Sequence, residues 1–161
     1  SQVAEALLER GDRVVALDNL NDYYAPARKR ANLAEVRAAI PTPEAFTFIE
    51  GDIRDRELVE RLFREQRFEA VVHLAAMAGV RTSREQPLLY CDVNLSGTLN
   101  LLQAACLTAD PRPVFIFAST SSVYGGSSAV PFTETSENSS TDFAAKPVWT
   151  SWFEGRKRSC W

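Results

Sequence analysis

Short apolar runs alternate along this chain with stretches in which apolar residues recur at helical spacing. Each apolar run predicts a buried strand, and these are 13–17, 46–50, 69–74 and 113–118. The helical spacing predicts helices at 3–8 (closed by Gly11), 27–39, 56–67 with Asp55 as N-cap, and 90–108 after a turn at Pro87. Regular alternation of this kind predicts an α/β domain, in which helices cover both faces of a parallel sheet.

Composition excludes several classes of protein. The chain has 161 residues, 45% hydrophobic and 24% charged, which is ordinary for one globular domain. A net charge of -3 argues against a nucleic acid or an anionic membrane as the main partner, and no apolar run approaches the roughly 20 residues of a membrane span. Cys91, Cys106 and Cys160 form neither a metal-ligand spacing nor an even disulfide set, so we expect no metal and a reducing, cytoplasmic compartment.

Polar and small residues follow the first three predicted strands. Asp18 ends the first strand, where a carboxylate can accept hydrogen bonds from an adenosine ribose; a turn or a helix cap is the alternative. Asp52 can accept from an adenine amino group or cap the next helix. The small residues in 74–79 can let a cofactor approach the backbone, or they can serve helix–sheet packing. His73, the only histidine, lies in an apolar strand, so we interpret it as a core residue or one that supports the site from behind, and not as a general base. Asn94 can tie one strand end to its neighbour or lie in solvent.

A dense cluster of hydroxyl residues follows the fourth predicted strand. Ser119, Thr120, Ser121 and Ser122 stand there, just before Tyr124. Their hydroxyls can hydrogen-bond a substrate hydroxyl and share its proton. No histidine is placed to activate them, which argues against a Ser-His-Asp hydrolase. The alternative is a Ser/Thr turn that closes the strand.

Taken together, these motifs resemble the NAD-dependent epimerase/dehydratase family, the extended short-chain dehydrogenases/reductases. Asp18, the turn at 51–53, and the segments 74–76 and 119–125 stand in the family's order and spacing over about 1–142. Within the family, 18–24 and 73–81 look most like UDP-glucuronate 4-epimerases, although Met77 stands where these usually have Gln. The resemblance implies a Rossmann-type doubly wound sheet, bound NAD and a UDP-sugar substrate, which is oxidised at C4, rotated as the 4-keto sugar and reduced again.

The resemblance also implies roles for individual residues. Thr120 matches the catalytic Ser/Thr that hydrogen-bonds the reacting hydroxyl. The implied cofactor-binding residues are Asp18, Asn19, Asp52, Ile53, Leu74, Ala75, Ala76, Ala78, Asn94 and Ser119. The implied substrate-binding residues are Gly79, Val80, Arg81, Ser121 and Ser122. A homodimer through the helix at 90–108 is expected by resemblance only, since its apolar positions suit a sheet-facing core.

Three family features are absent from the printed sequence. The chain starts with a segment resembling the helix that follows the family's first strand and Gly-x-x-Gly-x-x-Gly loop. We expect a gap between the strands 13–17 and 69–74, with two unpaired apolar edges that favour aggregation. The catalytic Tyr-x-x-x-Lys is also missing, because no tyrosine follows Tyr124 and Lys146 has no tyrosine four residues before it. The C-terminal substrate domain is absent, so we expect no turnover by this chain.

The residues 143–161 differ in character from the partial NAD-binding domain at 1–142. All three tryptophans, Trp149, Trp152 and Trp161, lie there, and no strand or helix period fits. Read one nucleotide later, 145–150 can encode Pro-Ser-Pro-Tyr-Gly, which resembles the family's approach to its tyrosine, so a frameshift is one hypothesis. Two alternatives to the epimerase stay open. One is a 4,6-dehydratase, which typically has Asp-Glu where Thr120 and Ser121 stand, and the other is a non-catalytic pseudoenzyme.

Overall fold

The fold is seen in a computed structural model that describes residues 1–40 and 42–119. The chain divides into two compact units, Ser1–Phe115 and Ile116–Trp161, and only 116–119 of the second are described. The predicted site residues Thr120, Ser121 and Ser122 lie outside the described residues, as does the segment 143–161.

Helices and strands alternate as the sequence predicts. The strands are β1 Val14–Asp18, β2 Phe46–Glu50, β3 Ala70–His73 and β4 Val114–Phe117. The α-helices are α1 Gln2–Glu9, α2 Pro26–Ala39, α3 Arg56–Glu65, α4 Val80–Glu85, α5 Pro87–Cys91 and α6 Thr98–Gln103, and a 3₁₀ turn covers Pro43–Ala45. Each predicted strand is confirmed within one residue at either end, because continuous apolar runs and their flanking breakers are local signals.

One helical run joins α5 and α6. The π-helical segments Asp92–Gly97 and Ala104–Thr108 follow α5 and α6, and the backbone stays helical at each junction. The run begins at Pro87, where we predicted a turn. That prediction is wrong because proline suits the first helical position, where its missing N–H would have no partner. Helix α4 was not predicted, since Val80 is its only apolar residue and gives no periodic signal.

The four strands form two separate pairs. β1 and β2 are parallel, with Val14 opposite Phe46 and Asp18 opposite Glu50. β3 pairs with β4, and the main-chain nitrogen of Val114 donates to the Glu69 carbonyl at 2.9 Å. Among the described residues no pairing joins β1 to β3, and a cavity of about 470 Å³ is lined by both strands. This arrangement confirms the predicted gap in the sheet.

Side chains from α1, α2, α3, α6 and β2 form much of the core of the first unit, to which Ile53, Ala104, Ala105 and Phe115 also contribute. Around α2 the buried residues are Leu8, Val36 and Phe46; on α3 and α6 they are Val59, Leu62, Phe63, Leu101 and Leu102. Helix α3 begins after Asp55, whose carboxylate accepts from the Leu58 N–H at 3.0 Å, so the predicted N-cap is confirmed. The burial of Leu101 and Leu102 supports the interpretation that the helical run after Pro87 packs into the core, whereas Leu95 and Leu99 of the same run are exposed.

Candidate functional site

The carboxyl ends of β1, β2 and β3 line one cavity of about 210 Å³. In open α/β sheets, ligands bind outside the carboxyl ends of the strands. The lining residues are Leu17, Asp18, Asn19, Asn21, Tyr23, Tyr24, Lys29, Gly51, Asp52, Ile53, Leu74, Ala75, Ala76, Met77 and Val93. Most of the cofactor-binding residues predicted from the sequence are therefore together. Three of them, Ala78, Asn94 and Ser119, are not among the lining residues, and Ser119 belongs to the second unit.

The loop after β1 is shaped by side chains that bond its own backbone. Oδ1 of Asp18 accepts from the Leu20 N–H at 2.7 Å, and Oδ1 of Asn19 accepts from the Asn21 N–H at 3.1 Å. These are Asx-type turns, and the first holds Leu20 at a positive φ of 48°, which a leucine rarely adopts. Oδ2 of Asp18 has no hydrogen-bond partner among the described residues. Asp18 is therefore a turn residue that keeps a free acceptor at the cavity.

Lys29 of α2 closes this loop. Its ammonium donates to Oδ1 of Asp18 at 3.2 Å and to Oδ1 of Asn21 at 3.0 Å. The Lys29 side chain is 19% exposed, while that of Asp18 is 48% exposed. The Lys29 ammonium thus lies on the side of the carboxylate that faces the protein, where it partly neutralises the negative charge of Asp18.

The loop after β2 is organised by an ion pair between neighbours. Oδ1 of Asp52 accepts from the Arg54 N–H at 2.9 Å and from its Nε at 3.0 Å, and Oδ2 accepts from Arg54 Nη2 and from Asn19 Nδ2, both at 2.8 Å. Arg54 Nη1 also reaches Asp92 at 3.2 Å. The Arg54 side chain holds the pKa of Asp52 well below its usual range, and the same contact raises the pKa of Arg54. Because these donors match the acceptor sites of a carboxylate, an adenine amino group would have to displace one of them.

The side chain of Ile53 packs away from the loop, against the helical run. It is 7% exposed, and a Cβ placed on Gly97 would lie 2.6 Å from its Cδ1. Its carbonyl accepts from Nδ2 of Asn100 at 3.0 Å. Gly97 therefore lets the helix approach this loop closely, which fixes the position of the Ile53 backbone.

The loop after β3 is held by Asn94 and two tyrosines. The Asn94 amide accepts from the Met77 N–H at 2.7 Å and donates to the Met77 carbonyl at 2.9 Å. The hydroxyl of Tyr23 donates to the Ala78 carbonyl at 2.8 Å, and that of Tyr90 donates to the same oxygen. Asn94 therefore ties the loop after β3 to the helical run, whereas the sequence interpretations were a tie between two neighbouring strand ends or a position in solvent.

His73 lies below this loop in the core. It is buried, and its Nε2 is 2.8 Å from Oγ1 of Thr98, which in turn donates to the Asn94 carbonyl at 2.7 Å. The Thr98 hydroxyl has a single proton, and it is donated to the Asn94 carbonyl. Oγ1 of Thr98 is therefore the acceptor in its contact with His73, and the protonated Nε2 is the donor. Burial lowers the pKa of His73. The interpretation of His73 as a core residue is confirmed.

The described residues predicted to bind substrate do not share one cavity, as most of the predicted cofactor-binding residues do. Gly79 has a φ of 98°, which suits glycine, and it precedes α4. Val80 is 74% exposed, and Arg81 pairs with Glu85 on the same helix at 3.2 Å. None of the three lines the cavity at the strand ends.

Four residues of the site were missed by sequence reasoning. Lys29 closes the loop after β1, whereas Tyr23 and Tyr90 both donate to the Ala78 carbonyl in the loop after β3. Lys29 and Tyr90 carry no periodic or motif signal, and Tyr23 lies in the motif at 18–24 without a predicted role, since these contacts depend on the folded path of the loops. Arg54 had a usable signal, because an arginine two residues after an aspartate at a strand end can fold back on it.

The chain belongs to the NAD-dependent epimerase/dehydratase family, which has a Rossmann-type fold. Residues 1–143 match the family model described as GDP-mannose 4,6 dehydratase. Within the part of the chain that the structure describes, no helix combines the length and apolar character required to cross a bilayer. In the same residues, no group of three His, Cys, Asp or Glu side chains is placed to hold a metal ion.

Individual relatives are mostly sugar-nucleotide epimerases. UDP-glucuronate 4-epimerase 4 of Arabidopsis thaliana is 46% identical over 134 residues, which cover 83% of this chain and 29% of that protein. The UDP-glucose 4-epimerase of Bifidobacterium longum, solved with NAD⁺ and UDP, matches with a TM-score of 0.67 at 32% identity. The match covers 86% of this chain and 38% of the epimerase chain. A dTDP-glucose 4,6-dehydratase of Streptomyces venezuelae, solved with NAD, has a TM-score of 0.62 at 32% identity, with coverages of 85% and 41%. The chain thus spans less than half the length of these relatives.

Proposed function

We propose that this chain is the cofactor-binding part of an NAD-dependent sugar-nucleotide 4-epimerase, most like the UDP-glucuronate 4-epimerases. The observation that carries the proposal is the cavity at the strand ends, where Asp18 keeps a free carboxylate oxygen beside the small residues Ala75 and Ala76. The identity to UDP-glucuronate 4-epimerases supports the same assignment.

The residues around the cavity fit the adenosine end of NAD. A volume of about 210 Å³ is smaller than the roughly 300–1,000 Å³ of pockets that hold a whole drug-sized ligand. The free oxygen of Asp18 can accept from a ribose hydroxyl, and Ala75 and Ala76 present little side chain to an approaching ligand. Asp52 is held by Arg54, so we assign it to shaping the loop as well as to the adenine edge.

The chemistry proposed for the complete site is reversible oxidation at C4 of the sugar. When bound, NAD supplies a reversible hydride acceptor. Thr120 would hydrogen-bond the reacting hydroxyl, Ser119 would contact the cofactor, and Ser121 and Ser122 would contact the sugar. The sequence has no Tyr-x-x-x-Lys pair to remove the hydroxyl proton. We therefore propose that this chain binds NAD and does not by itself convert UDP-glucuronate to UDP-galacturonate.

Isothermal titration with NAD tests the binding, and incubation with NAD and UDP-glucuronate tests the turnover. We expect saturable binding, weakened by Asp18→Ala and left unchanged by Glu9→Ala, which removes an exposed carboxylate far along α1. Chromatography of the sugar nucleotides should show no UDP-galacturonate. Absence of binding by the folded wild-type chain would contradict the cofactor assignment, and product formation would contradict the lack of turnover.

A 4,6-dehydratase is the second candidate function. The family model is described by that activity, and the Streptomyces venezuelae enzyme is a structural neighbour. The pair Thr120-Ser121 favours the epimerase, because the dehydratases that the sequence resembles typically have Asp-Glu there. Binding of UDP-glucuronate in preference to dTDP-glucose would separate the two. The homodimer, the cytoplasmic location and the non-catalytic alternative stay predictions.

A further inference from the structure

The loop after β1 and the loop after β3 line the same cavity, but their strands are not paired. Both loops contribute residues to the cavity of about 210 Å³ at the strand ends. Among the described residues, no backbone pairing joins β1 to β3. Side chains that reach from one loop to the other must therefore hold the two loops together.

Tyr23 makes the stronger of two contacts between these loops. Within the described part of the chain, two side-chain hydrogen bonds cross from the loop after β1 to the loop after β3. The Tyr23 hydroxyl donates to the Ala78 carbonyl at 2.8 Å, and Nδ2 of Asn21 lies 3.9 Å from Sδ of Met77. A thioether sulfur is a weak acceptor, whereas a carbonyl oxygen is a strong one. The bond between Tyr23 and Ala78 is therefore the main polar link across the cavity.

Both ends of this bond are anchored. The Tyr23 N–H donates to Oδ1 of Asn21 at 3.4 Å, which fixes the backbone that carries the phenol ring. The Ala78 carbonyl also accepts from the hydroxyl of Tyr90, which comes from the helical run. The Tyr23 hydroxyl packs against Gly79, where an added Cβ would lie 3.4 Å from it. The bond thus joins the loop after β1 to a loop that is already held on its other side.

We propose that Tyr23 is a positioning residue for the cofactor. Its bond to the Ala78 carbonyl keeps the carboxylate of Asp18 at the distance from Ala75 and Ala76 at which one bound nucleotide contacts both loops. NAD is released when the bond breaks and the loops separate. The inference rests on the proposed function, because it takes NAD as the ligand of this cavity.

Removal of the hydroxyl should let the loops separate more readily. A hydrogen bond of this kind changes an equilibrium by roughly two- to twelvefold. We therefore expect Tyr23→Phe to raise the rate constant for NAD dissociation by about that factor, and the dissociation constant with it. The association rate constant should not fall, because separated loops admit NAD at least as easily. A general loss of stability would instead reduce the amount of folded chain and leave the dissociation rate unchanged.

The experiment is NMR titration of the isotope-labelled full chain with NAD, in which line shapes give both the dissociation constant and the dissociation rate. Tyr23→Phe removes one oxygen from a ring that is 38% exposed, and circular dichroism checks that the variant is folded. Tyr90→Phe is the matched comparison, because it removes the other hydroxyl from the same carbonyl without touching the loop after β1. Hydrogen exchange at the Leu20 and Asn21 amides, which lie in the loop after β1, is measured in both variants. We expect faster exchange there in Tyr23→Phe and exchange at the wild-type rate in Tyr90→Phe.

The outcomes separate this inference from the proposed function. Wild type that binds NAD, together with a Tyr23→Phe variant that releases it at the wild-type rate, would overturn the role of Tyr23 alone. Equal acceleration of exchange at Leu20 and Asn21 in both variants would also overturn it, since the link between the loops would then not be specific to Tyr23. Wild type that binds no NAD would overturn both assignments.

Discussion

The contact between Asn94 and Met77 gives the sharpest test of how the cavity is built. One amide side chain satisfies both the N–H and the carbonyl of Met77, at 2.7 and 2.9 Å. Asn94→Ala removes both partners at once and leaves two backbone groups of the loop after β3 unpaired. Each hydrogen bond has a net worth of about 0.5–1.5 kcal/mol, and both are only partly buried, so we expect a loss of about 1–3 kcal/mol.

Two measurements check this value. Urea unfolding gives the change in the free energy of unfolding, and amide hydrogen exchange gives the opening of the loop at the Met77 N–H. A loss of that size should speed exchange at this amide by roughly 5- to 150-fold, since about 1.4 kcal/mol is a factor of ten. Asn94→Asp should be no better than Asn94→Ala, because it still accepts from the Met77 N–H but places a negative charge at the Met77 carbonyl.

Ser96→Ala is the matched control for Asn94→Ala. Ser96 is exposed and lies in the same π-helical segment, so this change alters helix propensity in a similar way without touching the loop. We expect its unfolding midpoint to lie close to that of wild type. If Asn94→Ala has the midpoint of Ser96→Ala and normal protection of the Met77 amide, the loop does not depend on this contact and our account of the cavity is wrong.

Three further predictions concern the core and the ion pair. Burial lowers the pKa of His73, so as the pH falls the imidazole is protonated in the unfolded chain at a higher pH than in the folded chain. The free energy of unfolding should therefore decrease as the pH drops below about 6.5. NMR titration of this single imidazole in the folded chain should give a midpoint below that value. Gly97→Ala should cost about 1–3 kcal/mol in urea unfolding because its Cβ would meet Ile53 at 2.6 Å, and Ile53→Ala should relieve part of that cost in the double variant; additive effects would contradict it. Arg54→Gln should destabilise the chain by about 1–2 kcal/mol near neutral pH. Because the folded-state pKa of Asp52 is depressed, that difference should persist above about pH 4 and shrink below it, and a pH-independent difference would contradict it.

The strands and the first N-cap could be predicted because their signals are local. Each strand is an apolar run bounded by breakers, and Asp55 caps α3 through a contact three residues away. The gap between β1 and β3 could also be predicted, since the family resemblance places a strand there that the printed sequence lacks. Helix α4 and the start of the run at Pro87 were missed because tertiary packing, and not periodicity, decides short helices.

The sequence indicated which residues belong to the site, but not the contacts that they make there. Asp18 and Asp52 were recognised from their positions at strand ends, and the structure brings both to one cavity. Their cationic partners were not, because Lys29 comes from the next helix and Arg54 reaches Asp52 through a turn whose shape the sequence does not specify. Asn94 was recognised as a possible tie, but its partner is 17 residues away and depends on how the helix crosses the loop.

The π-helical segment at Asp92–Gly97 gives the helical run one residue more than an α-helix of the same rotation would need. A π turn bonds each residue to the fifth along instead of the fourth, so it holds an extra residue within nearly the same rotation about the helix axis. Asn94 lies within this turn, and Leu101 and Leu102 follow it into the core. Deleting one residue here, other than Asn94, would restore an ordinary α-helix and leave the later apolar face toward α3, because the π turn holds one residue more for nearly the same rotation. The same deletion in α6, before Leu101, would turn that face by about 100°. We therefore expect single-residue deletions to be tolerated better in this π-helical segment than in α6.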